Sequence, residues 1–207
     1  HCSSRNEITQ ILASLIKTMT PEEAKIASYL SLGELRAVYQ GTQFNFAEKS
    51  LIKFVAQVLA CGEDFVMEQL KSSGDLGTVL MNHGQWFVEK PITLLELYDN
   101  LVVFEKLSGE GSNDEKFRFL KKLIVQVDPL SAGYIVRIIV GKLRLGFLDM
   151  TLIDALSWVL VNDKSLRNEI EHAYNISADI GRIAYIVKEG GIAAIKNLAV
   201  QLGIPIR

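Results

Sequence analysis

The sequence predicts an all-α protein of about a dozen helices in two packed lobes, on three observations. Apolar residues recur at three- and four-residue spacing along nearly the whole chain, whereas strand-like alternation is rare. Capping residues, glycines and prolines punctuate that pattern at intervals suited to short helices. Of the 207 residues 49% are hydrophobic, enough to give such helices a common core.

Taken in order, residues 6–17 place Ile8, Ile11, Leu12, Leu15 and Ile16 on one face of an amphipathic helix. Thr20-Pro21-Glu22-Glu23 opens the next helix, with a capping hydroxyl, a proline at the first position and acids in the first turn. Residues 47–61 repeat the pattern through Leu51, Phe54, Val55 and Val58, and Gly62 can end it. Shorter helices over 63–72 and 76–83 flank Ser73-Gly74-Asp75. Thr93 and Glu96 form a capping box for a helix through Leu97, Leu101 and Phe104.

Ser108-Gly109-Glu110-Gly111-Ser112 is the clearest loop. A helix through Phe117, Leu120, Ile124 and Val127 follows, and Asp128-Pro129 stops it. Residues 130–140 are rich in Ile and Val; with helices on both sides a buried helix is preferred to a strand. Segments 151–161, 164–174, 178–188 and 192–198 complete the set, and 201–207 reads as an extended linker. The division between lobes is expected near residues 107–113, giving lobes of about 1–107 and 113–200. No period of 20–50 residues suggests a solenoid.

Several classes of chemistry are absent from the sequence. Neither of the glycine-rich phosphate-binding motifs occurs, nor HExxH. Cys2 and Cys61 belong to no CxxC, and His1, His83 and His172 are scattered, so free thiols fit better than a zinc site. Glu22-Glu23 and the Asp64/Glu68 pair read as solvated helix edges. No apolar run approaches the roughly 20 residues that span a bilayer, and no signal peptide is evident. A cytoplasmic, nucleoid-associated protein without a membrane partner and without its own catalytic residues, cofactor or metal is expected.

The net charge of −2 conceals a segregation. Residues 116–147 hold Lys116, Arg118, Lys121, Lys122, Arg137, Lys142 and Arg144 against a single acid, Asp128. An ordinary basic helix face and a phosphate-binding strip explain this equally well. Gly141-Lys142-Leu143-Arg144-Leu145-Gly146 favours the second. Glycines permit close backbone approach, and the cations alternate with leucines that can anchor the link. Thr151 is expected to cap the following helix and leave amides for phosphate. The plainer alternative is a helix connection with two C-cap glycines.

Residues 129–146, running from Pro129-Leu130-Ser131-Ala132-Gly133-Tyr134 to this link, resemble a signature of the N-terminal domain of ATP-dependent DNA ligases. It ends in a GxLRxG element and is followed by a TxxDAL helix start, here Thr151-Leu152-Ile153-Asp154-Ala155-Leu156. Ser73-Gly74-Asp75-Leu76-Gly77, the 108–112 loop, Ala173-Tyr174-Asn175 with Asp179-Ile180-Gly181, and Gly203-Ile204-Pro205-Ile206-Arg207 resemble further family landmarks in the same order. The resemblance covers nearly the whole chain, with spacings nearest those of archaeal-type ligases. The family's KxDG nucleotidyl-transfer motif is absent, since no Asp here precedes Gly. The resemblance therefore implies a catalytic lysine beyond Arg207, and a start trimmed of one helix.

It also implies sequence-independent binding to double-stranded nicked DNA, through the minor groove and phosphates. The adenylation and OB-fold domains would complete a ring around the duplex, with ATP and Mg serving the full-length ligase in replication, repair and recombination. Carried onto this chain, the DNA-binding residues are Gly141, Lys142, Arg144, Gly146, Phe147, Leu148 and Thr151. Gly109, Ser112, Asn113 and Lys116 of the glycine loop and its helix come next, followed by Ser4, Arg5 and Thr9. Arg137 fits either added charge or a structural partner for an acid. The alternative is a helical interaction module meeting an acidic partner such as a sliding clamp.

Overall fold

The computed structural model describes residues 4–109, 111–143 and 145–198; Arg144 and the 201–207 linker, both singled out above, lie outside them. The described residues contain eleven α-helices and one 3-10 turn, and no strand among them. The chain divides into two units, His1–Thr42 with Arg144–Arg207, and Gln43–Leu143. The expected boundary at 107–113 is corrected accordingly. That glycine-rich loop only joins two helices packed together inside the second unit.

The first unit contains α1 (Arg5–Thr18), α2 (Pro21–Ser31), α9 (Asp149–Val161), α10 (Arg167–Ser177) and α11 (Ile180–Lys196). At its centre α9 buries seven consecutive residues from Thr151 to Ser157, and it packs against α1, α10 and α11. α1 turns Ala13 and Ile16, with Leu12 beside them, toward a helix more than a hundred residues away, while Ile11 and Leu15 of its predicted apolar face stay exposed. Thr20 and Glu23 close a reciprocal capping box on α2, worth roughly 1 kcal/mol. The two helices expected over 178–188 and 192–198 are both present within the span α11: they meet at a kink at Gly191, whose φ of 60° and ψ of −152° lie outside helical geometry.

The second unit contains α3 (Glu48–Val58), α4 (Glu63–Ser73), α5 (Leu76–His83), α6 (Leu94–Lys106), α7 (Ser112–Ile124) and α8 (Pro129–Val140). The Ile/Val-rich 130–140 segment is the buried helix α8. It crosses α5 where Gly77 and Gly133 meet: a Cβ on Gly77 would lie 2.5 Å from the Gly133 carbonyl oxygen. Asp128 opens α8 rather than stopping α7, its carboxylate accepting from the Ser131 amide. Phe104 of α6 anchors an aromatic group with Phe44, Phe46 and Phe119, ring centroids 5.7–6.2 Å apart.

Candidate functional site

In the first unit three segments of the chain converge. A groove of about 420 Å³ is lined by Arg5 and Ile8 of α1, by Gly146, Phe147, Leu148, Met150 and Thr151 leading into α9, and by Arg167 of α10. Gly146 has a φ of 79° and open space around it, so it supplies a left-handed turn and an uncovered backbone. Phe147 and Met150 pack against the apolar core, while Leu148 is 72% exposed.

The electrostatics here are organised by Asp154, 1% exposed in the buried stretch of α9. Its Oδ1 accepts from Arg167 Nη1 at 2.6 Å. Its Oδ2 lies 3.2 Å from Lys164 Nζ and 3.5 Å from Arg5 Nη2. Burying a carboxylate is tolerable only with such partners. The turn that delivers two of them is tied to the buried Ser157 hydroxyl, which donates to the Asp163 carbonyl and accepts from the Leu166 amide. That tie explains why α10 begins at Arg167 rather than Lys164.

Two expectations fail in this unit. Thr9 is fully buried, and its hydroxyl donates to the Arg5 carbonyl at 2.8 Å, so it presents nothing to a ligand. Thr151 is not the cap of α9: the helix begins at Asp149, Leu148 holds the cap position, and Thr151 is 4% exposed. Ser4 is the exposed N-cap residue of α1, without a side-chain cap bond.

In the second unit Gly141 is the left-handed C-cap of α8, with the Lys142 amide donating to the Arg137 carbonyl. The plainer alternative, a C-cap glycine, therefore describes its backbone. Lys142 is half exposed and 3.8 Å from Glu48, a surface pair of little energetic weight. Gly109, Ser112 and Asn113 lie at the start of α7, where Gly111 takes the cap position and Asp114 and Glu115 follow in the first turn. Those acids oppose an anion at this end.

The basic segment is smaller than its charge count. Lys116 is 2% exposed, and its ammonium donates to the carbonyls of Phe44 and Asn45 and lies 5.6 Å from the Phe104 ring centroid. Burial lowers its pKa, partly opposed by Glu105. It is a strut for the segment entering α3, which corrects its assignment as a binding residue. Arg137 is the structural partner left open above: Nε donates to Asp75 Oδ2 at 2.7 Å and Nη2 to the Thr78 hydroxyl. Burial raises the Asp75 pKa, but these hydrogen bonds and the Arg137 charge outweigh it and hold the carboxyl below its usual value. Arg118, Lys121 and Lys122 remain exposed on α7.

Lys164, Arg167 and Asp154 were missed as site residues. The available signal was Asp154 itself, a lone acid within the apolar run 152–161 that must find cations if its helix is buried. Among the described residues no group of three or more metal-ligating side chains occurs, and no helix is long and apolar enough to cross a membrane.

The described residues form an all-α structure in two units, and the first unit carries an open groove lined in part by Arg5 and Arg167. The family model described as DNA ligase N terminus matches residues 1–157, and the chain belongs to that family. It is 40% identical over 205 residues to a probable DNA ligase of Dictyoglomus turgidum, covering 99% of this chain and 35% of that protein. It is 38% identical over 208 residues to a probable DNA ligase of Persephonella marina, covering 99% and 36%. To a DNA ligase of Sulfurisphaera tokodaii it is 38% identical over 218 residues, again 99% and 36%. The chain spans about a third of the length of these relatives.

Proposed function

We propose that this chain binds duplex DNA around a nick without sequence preference, as the helical module of an ATP-dependent, nick-sealing ligase. The observation that carries the reading is the groove of the first unit. Arg5, carried over from the family's first helix, lines the same surface as Gly146, Phe147, Leu148 and Thr151, carried over from its signature. An exposed glycine backbone beside arginines suits recognition of phosphates and groove shape, which needs no contact with base edges. The half-exposed Lys142, together with Arg144, supplies further charge at the 141–146 link.

The catalytic lysine, ATP and Mg belong, on this reading, to the adenylation domain of the full-length ligase, with an OB-fold domain closing the ring. This chain contributes affinity and holds the nicked duplex in a shape suited to sealing. Nucleoid association follows from DNA binding.

The test is a fluorescence-anisotropy titration of labelled nicked duplex at several salt concentrations. Lys142→Ala with Arg144→Ala is expected to weaken binding equally for unrelated sequences. It should also shallow the log–log salt slope by about 0.9 for each phosphate no longer neutralised. Duplex binding that is absent at low salt, with retention on an acidic protein instead, overturns the reading in favour of a protein-interaction module.

A further inference from the structure

We propose that Lys164 and Arg167 act with Arg5 as one phosphate clamp on the first unit, and that buried Asp154 is the residue that positions it. This rests on the duplex-binding reading above and extends it to side chains outside the family signature.

The three cations come from the start of α1, the turn after α9 and the start of α10, yet all converge on one carboxylate. One arginine would suffice to neutralise Asp154, so the arrangement leaves a surplus of positive charge. Glu171 offsets part of it, 3.4 Å from Arg167 Nε. The acid is 1% exposed, while the side chains of Arg5, Lys164 and Arg167 are 58%, 37% and 30% exposed. The cluster therefore hides its anion while its cationic side chains stay partly exposed.

Its hydrogen bonding points the same way. Among the described residues only Arg167 makes an aligned bond to Asp154; Oδ2 receives none from them and is held by charge. Arg5 and Lys164 thus keep donors for another oxyanion, although Lys164 also donates to Asn6. Arg5 and Arg167 both line the groove that holds the exposed backbone of Gly146. A phosphate there would meet charge already oriented, with little side-chain freedom left to lose.

Asp154→Asn gives a test whose sign is diagnostic. The substitution removes a negative charge, so if Asp154 merely diluted the positive field, duplex affinity would rise. As a positioning residue its loss releases the cations, so affinity should fall about tenfold and the salt slope should shallow by about one to two units. Circular dichroism establishes whether the variant is folded. If it is not, Lys164→Ala, which truncates a partly exposed side chain, serves instead, and the expected slope change is about one unit.

A folded Asp154→Asn protein that binds duplex as well as or better than the unaltered chain overturns the proposal, as does an unchanged slope in Lys164→Ala. The unaltered chain and the Lys142/Arg144 double variant separate the two readings. If the unaltered chain does not bind duplex, the DNA-binding reading falls and the clamp with it. If it binds and the double variant weakens it while the Asp154 and Lys164 variants do not, only the clamp falls.

Discussion

Replacing Lys116 by methionine separates a structural lysine from a DNA-binding one. Methionine keeps most of the aliphatic stem and deletes the ammonium. Phe44 is 4% exposed, so its carbonyl is deprived of a buried charged donor that water cannot readily replace. A hydrogen bond to a charged group contributes about 1.5–3 kcal/mol, and the contact over Phe104 adds about 0.5–1 kcal/mol. Relief of the buried charge, whose pKa burial already depresses, offsets part of this. A net loss of about 2 kcal/mol is expected, which at a urea dependence of about 2 kcal/mol per molar moves the unfolding midpoint down by about 1 M. The assay is urea unfolding followed by circular dichroism, paired with a duplex titration on folded protein. Unchanged stability with weakened, less salt-sensitive DNA binding would refute the reasoning and restore Lys116 as a phosphate ligand.

Two further outcomes test the second unit. Gly77→Ala places a methyl 2.5 Å from the Gly133 carbonyl and 2.8 Å from Arg137 Cγ, so it should part α5 from α8 and disturb the Arg137–Asp75 pair. A destabilisation of about 1–3 kcal/mol is expected in denaturant titration, and none at all would contradict the close crossing. Asp75 and Asp128 have pKa values held below their usual level, the latter by the Ser131 hydrogen bonds. Carboxyls depressed by folding contribute stability above the unfolded value of about 4, and that contribution drains as pH falls through the folded values. Thermal unfolding across that acid range should show the loss, and Asp75→Asn should flatten it.

Much of the architecture was legible because it is local. Thr20 and Thr93 each cap the helix that follows, and this depends on residues within one turn. The 130–140 segment was ambiguous by composition, and its helical neighbours resolved it correctly. The 107–113 loop misled because glycine and serine mark a turn without saying whether the flanking helices part or pack. Thr151 misled similarly: its hydroxyl suited a cap, but the helix starts two residues ahead of it and buries it.

The site divides along the same line. Sequence alone determined most of the helices, the glycine-flanked link and the family to which the chain belongs, since periodicity and motif order are properties of neighbours along the chain, while several helix ends shifted with burial. Only tertiary structure decided what each charge does. Lys116 and Arg137 count as basic in any tally, yet packing commits one to backbone carbonyls and the other to Asp75. Lys164 and Arg167 carry no signal of their own, and only the folding of α1 and α10 onto α9 brings them to Asp154 beside Arg5. Burial sets the value of a charge, and burial depends on residues a hundred positions away.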